Sequence, residues 1–144
     1  MKDELPKKRR DGNYIINLES STQGDGSHWT CLILRGKNAL FCDPFGAPPS
    51  QEVVNYVHLR KGCRLGYTTR DIQAINSHNC GAFCLSLLVY ITDDNRGKDL
   101  YALANQWMEF FDTNVANNDV RLGDFFRHHV HGGAMPPLIR RLYR

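Results

Sequence analysis

QAINSHNCGAFC, Gln73 to Cys84, decides how the rest of the chain is read. Up to Asn79 the stretch is short, polar and without a period. From Cys80 the apolar positions take helical spacing: Cys80, Phe83, Cys84, Leu87, Leu88 and Ile91 fall at i, i+3, i+4, i+7, i+8 and i+11. Ala82, Leu85, Val89 and Tyr90 fill much of the opposite side, so the pattern predicts a central helix buried nearly all round. Thr92 to Gly97 ends it. Beyond, Leu100, Leu103, Ala104, Trp107, Met108, Phe110 and Phe111 mark a second amphipathic helix. Leu122, Phe125, Phe126 and Val130 mark a third, capped by Gly132 and Gly133.

Upstream of Gln73 the readings are mostly strands. Tyr14 to Leu18 is rich in β-branched and aromatic residues and reads as a short strand. Trp29 to Arg35 carries apolar groups on both faces, the pattern of a strand covered on both sides. Gly36, Lys37 and Asn38 form a turn, and Ala39 to Asp43 returns, which predicts a β-hairpin. Ser50 is a good N-cap for a short helix over Gln51 to Leu59, with Glu52 in its first turn. A further strand is expected near Tyr67 to Ile72, with Gln73 at its end. The fold class is therefore α+β: a small mixed or antiparallel sheet packed against a central helix, with further helices after it. Residues 1–12 read as a disordered basic leader and 13–144 as a single domain.

Bulk properties narrow the class. A chain of 144 residues with 42% apolar and 23% charged residues is one globular domain with one core. Its longest apolar run, Ala82 to Ile91, is too short to span a bilayer, and MKDELPKKRR is charged where a secretory signal is apolar. These features favour an intracellular site and no membrane. Five cysteines without a CxxC pair point to free thiols in a reducing compartment. The net charge of +3 is no argument for nucleic acid. Lys7 to Arg10 and Arg140, Arg141 and Arg144 read first as solvated tails, with a nuclear import signal or a phosphate-binding patch as the sharper alternative.

Four residues carry a candidate chemistry. A cysteine attacks as its thiolate, whose ordinary pKa is too high for neutral pH. Cys80 opens a helix, where unpaired N–H groups and the dipole favour an anion. His28 opens the first hairpin strand and Asp43 closes the second, so antiparallel pairing brings them together although they are fifteen residues apart. His28 would accept the thiol proton, and Asp43 would hold the imidazole in the right tautomer. Gln73, seven residues before Cys80, would add a neutral side-chain donor for an oxyanion beside the backbone N–H of Cys80. Gly81, without a Cβ, admits close approach of a substrate backbone.

Each residue also has a plain reading. A cysteine at a helix start is a small hydrophobe, a histidine beside tryptophan is structural, and Asp-Pro is a turn former. Their joint occurrence, in an order that assembles them, favours catalysis. His78 is expected to face solvent or the cleft. Asp71 competes with Asp43 for the acid role but lacks the hairpin relation to His28. Cys84 is expected to be buried and inert. His128, His129 and His131 lack a ligand set with metal-site spacing and read as a cationic helix end, so no metal is assigned.

The motifs GSHW, FCDPFG and Q-x6-CGAFC, covering His28 to Ile91, resemble those of the adenovirus-type cysteine proteases, which share a fold with the SUMO-specific Ulp proteases. The resemblance implies His28 as general base, Asp43 as acid, Gln73 as oxyanion glutamine, Cys80 as nucleophile and Trp29 as the cleft-lining tryptophan. It implies an endopeptidase, active as a monomer, that processes viral or mobile-element precursor and capsid proteins at small, Gly-rich sites, in the host nucleus and the virion. It also implies an activating peptide and DNA, although the sequence itself requires no cofactor. Cys63 lies near the position at which that family joins its peptide, ten residues before Gln73, and otherwise reads as a loop cysteine. Aspartate at the acid position is the Ulp-like choice, and the chain is short for the adenovirus group. Two alternatives stay open: an isopeptidase removing a ubiquitin-like modifier, and a non-catalytic basic protein that binds nucleic acid.

Overall fold

The computed structural model of the chain describes residues 1–24, 27–92 and 97–129. Strand β1 (Gly12–Asn17) pairs antiparallel with β2 (Trp29–Arg35), and β2 pairs antiparallel with β3 (Asn38–Cys42). Helix α1 (Gln51–His58) then leads to β4 (Arg64–Tyr67), which runs parallel to β3 at the sheet edge. Helices α2 (Cys80–Thr92), α3 (Leu100–Met108) and α4 (Asn118–His129) follow, the last preceded by a 3-10 turn at Val115–Asn117. The fold class is α+β, with a four-stranded mixed sheet and four α-helices among the described residues.

The two-residue period of β2 explains why helices lie on both faces of the sheet. Leu32 and Leu34, with Ile16, Ala39 and Phe41, face Val53, Tyr56 and Val57 of α1. Cys31 and Ile33, with Leu40 and Cys42, face α2, α3 and α4. Each fully buried aliphatic or aromatic side chain contributes about 1.5–3 kcal/mol, so the hairpin that positions the site is clamped from two sides. Helix α2 shows no exposed residue before Thr92, and it touches β1, β2, α3 and α4. Inside it, Ser86 accepts from Trp107 Nε1 at 3.0 Å and donates to the Phe83 carbonyl at 2.7 Å, which satisfies both buried polar groups.

The hairpin turn is tighter than expected. Arg35 pairs with Asn38, leaving only Gly36 and Lys37 between the strands, and Gly36 takes φ +58°. Ser50 caps α1 by accepting from Val53 N–H at 3.5 Å, as its sequence position implies.

Three differences from the sequence reading have physical causes. The strand expected near Tyr67 to Ile72 lies earlier, at Arg64–Tyr67. Its partner β3 ends at Cys42, where the Asp43–Gly46 turn leads the chain away, so Thr68 and Ile72 make only single bonds to the carbonyls of Phe41 and Pro44. Gly66 inside β4 argues against a strand by propensity, yet a Cβ there would lie 2.6 Å from the Tyr101 ring of α3. The third helix begins at Asn118, a turn before its first apolar marker, and its expected Gly132–Gly133 cap lies outside the described residues. Finally, the leader expected to be disordered is tied to the sheet. Lys2 N–H bonds to Asn17 O at 3.0 Å, Asp3 accepts from Ser21, and Leu5 packs on the α1 side of the core. Arg9, only 3% exposed, donates to Gly36 O at 2.8 Å and pairs with Asp11 at 3.0 Å. Lys7, Lys8 and Arg10 remain exposed, and Arg140, Arg141 and Arg144 lie outside the described residues. Among the described residues no helix is long and apolar enough to cross a membrane.

Candidate active site

His28 is the residue before β2 and Asp43 the residue after β3, so the hairpin delivers both to one end of the sheet. His28 Nε2 lies 2.7 Å from Asp43 Oδ1, with 14% of the histidine side chain and 2% of the aspartate exposed. The carboxylate is held by its own turn. Asp43 Oδ1 also accepts from Phe45 N–H at 2.8 Å, and Gly46 N–H donates to Asp43 O at 2.8 Å. Asp-Pro-Phe-Gly is thus a β-turn with aspartate first, proline second and glycine last, each residue type in its favoured place. Gly46 takes φ +74°, and a Cβ there would meet Thr69 O at 2.6 Å, so no other residue fits. The turn-former reading of Asp43 and its pairing with His28 are therefore both present, using the same oxygen.

The same turn positions Phe45. It sets the residue two after Asp43 beside the imidazole. The two rings stack with centroids 4.8 Å apart and planes 30° apart, which holds the imidazole plane. Phe45 is not among the residues the sequence singles out; its place in the Pro-Phe-Gly turn beside Asp43 is the signal that could have found it.

Cys80 is the first residue of α2 and is 7% exposed. The first intrahelical bond here runs from Phe83 N–H to Asn79 O at 2.9 Å, so the N–H of Cys80 has no acceptor within the helix. The imidazole and the thiol act on each other. Burial works against a charged His28, but the Asp43 hydrogen bond, the Cys80 sulfur and the field of both raise its pKa to about 9. Burial likewise opposes a Cys80 thiolate. The His28 hydrogen bond, with the backbone N–H groups of Trp29 and Gly81, outweighs it and brings the thiol below its ordinary value. The contact thus favours an imidazolium facing a thiolate.

Gln73 is 2% exposed, and its amide Nε2 donates to Ser77 O at 2.8 Å. Its backbone N–H bonds to Pro44 O at 3.2 Å and Asp71 Oδ1 at 3.1 Å, linking the glutamine to the Asp43 turn. A cleft of about 350 Å³ brings together His28, Trp29, Phe45, Gln73, His78 and Cys80. Trp29 is 41% exposed and lies over the start of α2. A Cβ on Gly81 would meet only the Trp29 ring, at 3.9 Å, so nothing within the protein demands a glycine there.

The remaining candidates separate cleanly. Asp71 is exposed and bonds to Gln73 N–H, while Asp43 holds His28. His78 is exposed at the cleft rim. Cys84 is fully buried, donates to Trp29 O at 3.5 Å and is raised by burial, whereas contact with the Cys31 thiol and then burial hold Cys42 well above the ordinary value. Cys63 is partly exposed and lies 3.6 Å from Arg9 Nη2. His128 and His129 bond to the carbonyls of Asp124 and Phe125 in their own helix, and His131 lies outside the described residues. No group of three or more metal-ligating side chains occurs among the described residues. Neither a family model nor a curated protein matches this chain.

Proposed function

We propose that the chain is a cysteine peptidase with Cys80 as nucleophile, His28 as base and acid, Asp43 as the orienting carboxylate and Gln73 as oxyanion donor. One observation carries the proposal: the 2.7 Å His28–Asp43 bond faces a thiol at a helix N-terminus within one cleft. Cys80 Sγ attacks the scissile carbonyl carbon, and the C=O electron pair moves to the oxygen. That oxyanion is met by the Cys80 backbone N–H and the Gln73 amide. The C–N bond breaks as His28 gives its proton to the leaving amine, leaving a thioester on Cys80. Water then attacks the thioester carbonyl with His28 taking its proton, and the thiolate departs as the acid product forms. The substrate class follows from the sequence resemblance: viral or mobile-element precursor proteins cut at Gly-rich sites during maturation, in the host nucleus or particle.

The test has two parts. Iodoacetamide labelling against pH, with Cys80→Ser as control, should find one thiol reacting with a midpoint below the ordinary cysteine value. A panel of Gly-Gly peptides and ubiquitin-like fusions then defines the substrate. Cleavage of the fusions alone would make the chain an isopeptidase. Equal labelling of all five cysteines and no cleavage of either class would refute the peptidase assignment.

A further inference from the structure

We propose that Ser77 and Asp119 are positioning residues for the Gln73 amide, so that α4 sets the oxyanion side of the cleft; this rests on the peptidase reading above. The chain of contacts begins at the N-terminal end of α4. Asn118, fully buried, donates through Nδ2 to Ile72 O at 2.9 Å and Asp112 O at 3.0 Å, and accepts from Asp112 N–H at 2.7 Å. Its amide is fully engaged, and it fixes the residue immediately before Gln73. The next residue, Asp119, accepts the Ser77 hydroxyl at 2.8 Å. Ser77 Oγ also accepts from Asn79 N–H at 3.2 Å, one residue before Cys80. Ser77 O, finally, takes the Gln73 amide at 2.8 Å. One serine therefore joins α4, the start of α2 and the oxyanion glutamine.

The orientation of Gln73 depends on that serine. Its Oε1 is buried without a hydrogen-bond partner, so the oxygen does not hold the amide in place. An amide turned over would set Oε1 against the Ser77 carbonyl, acceptor against acceptor. With Ser77 O holding one N–H, the second N–H of Nε2 remains for an oxyanion. Loss of one oxyanion donor costs about 100–1000-fold in kcat, and displacement of about 1 Å costs up to about 100-fold. The Ser77–Asp119 bond is exposed, so its loss shifts the loop rather than removing the donor. The expected loss is about 10-fold, the lower part of that positioning range.

The experiment measures kcat and KM on whichever peptide or fusion the wild-type chain cleaves, for Ser77→Ala, Asp119→Ala and Asp119→Asn. The first two should lose about 10-fold in kcat with KM nearly unchanged. Affinity for a peptide aldehyde, whose hemithioacetal oxygen occupies the oxyanion position, should fall in step. The alkylation rate of Cys80 by iodoacetamide, which forms no oxyanion, should stay at the wild-type value. Asp119→Asn keeps an acceptor for the hydroxyl and should restore the rate. In a Gln73→Ala background, Ser77→Ala should have no further effect. Unchanged kcat in both alanine variants, additivity with Gln73→Ala, or a parallel loss of alkylation would overturn the proposal while the wild type still cleaves. A wild type that neither cleaves nor labels selectively at Cys80 would overturn the peptidase reading and this proposal with it.

Discussion

Asp43→Asn separates the charge of the carboxylate from its shape. The variant keeps an oxygen for Phe45 N–H, so the turn survives, but the anion that faces His28 is gone. Burial is the largest influence on His28 and opposes its charge, while Asp43 is the first of the groups that raise it. Without the anion, the midpoint should fall from about 9 back toward the ordinary 6.5. That change is worth at most about 3.4 kcal/mol. The ring keeps 14% of its surface open to solvent, which reduces the usable figure to roughly 2 kcal/mol. The sign follows from linkage. A raised histidine stabilises the fold fully below the unfolded value of 6.5, and the contribution is lost as pH rises through about 9. The stability gap between wild type and variant should therefore be widest below pH 6.5 and shrink by roughly 2 kcal/mol above about pH 9. Cys80 acts in the opposite sense and is lowered by the same ring, so the comparison is made in a Cys80→Ser background, which removes its titration from both proteins. Urea unfolding across this range measures the gap, and NMR of the His28 ring protons gives the midpoint directly. A gap that stays constant, with an unmoved midpoint, would show that Asp43 does not charge His28.

Three further substitutions test the frame of the site. Gly46→Ala forces an alanine to φ +74° and its Cβ to 2.6 Å from Thr69 O, so it should cost about 2 kcal/mol or more in urea unfolding; a cost near zero would mean that the turn yields. Gly81→Ala meets only the Trp29 ring at 3.9 Å and should stabilise α2 by about 0.5–1 kcal/mol. Should KM rise in that more stable protein, the substrate backbone passes over Gly81; an unchanged KM removes Gly81 from the binding surface. Ser86→Ala strands Trp107 Nε1 and should cost about 1–3 kcal/mol. Trp107→Phe added to it should cost less than Trp107→Phe alone, a coupling measured by a double-mutant cycle.

Particular residues show where the sequence was legible. The period change at Cys80 marked the start of α2 because buried helical spacing is a local property. The Ser50 cap and the Gly36 turn were legible for the same reason, since each is decided within about four residues. The hairpin brought His28 to Asp43 without tertiary information, because antiparallel pairing across a short turn carries the start of one strand and the end of the next to the same end of the sheet. The limits of β4 are not legible locally, because they depend on where β3 turns away and on how Tyr101 lies over Gly66. The contacts of Arg9 with Gly36 O and Cys63 join residues far apart in the chain, and composition does not reveal them.

The sequence by itself determined the helical and strand periods, the Asp-Pro-Phe-Gly turn and the hairpin that sets a histidine beside an aspartate. All are short-range, written in steric and hydrogen-bonding preferences of neighbouring residues. Only the tertiary structure decided that Nε2 faces Asp43, that Phe45 stacks on the imidazole and that the Cys80 sulfur acts on the same ring. It also decided the orientation of the Gln73 amide, which follows from Ser77 and its bond to Asp119, 42 residues away in the chain. That bond exists because α4 docks on α2 through its buried phenylalanines and so presents its polar first turn to the loop before Cys80. Such a contact depends on how packed elements come to rest against each other, and no local preference encodes it.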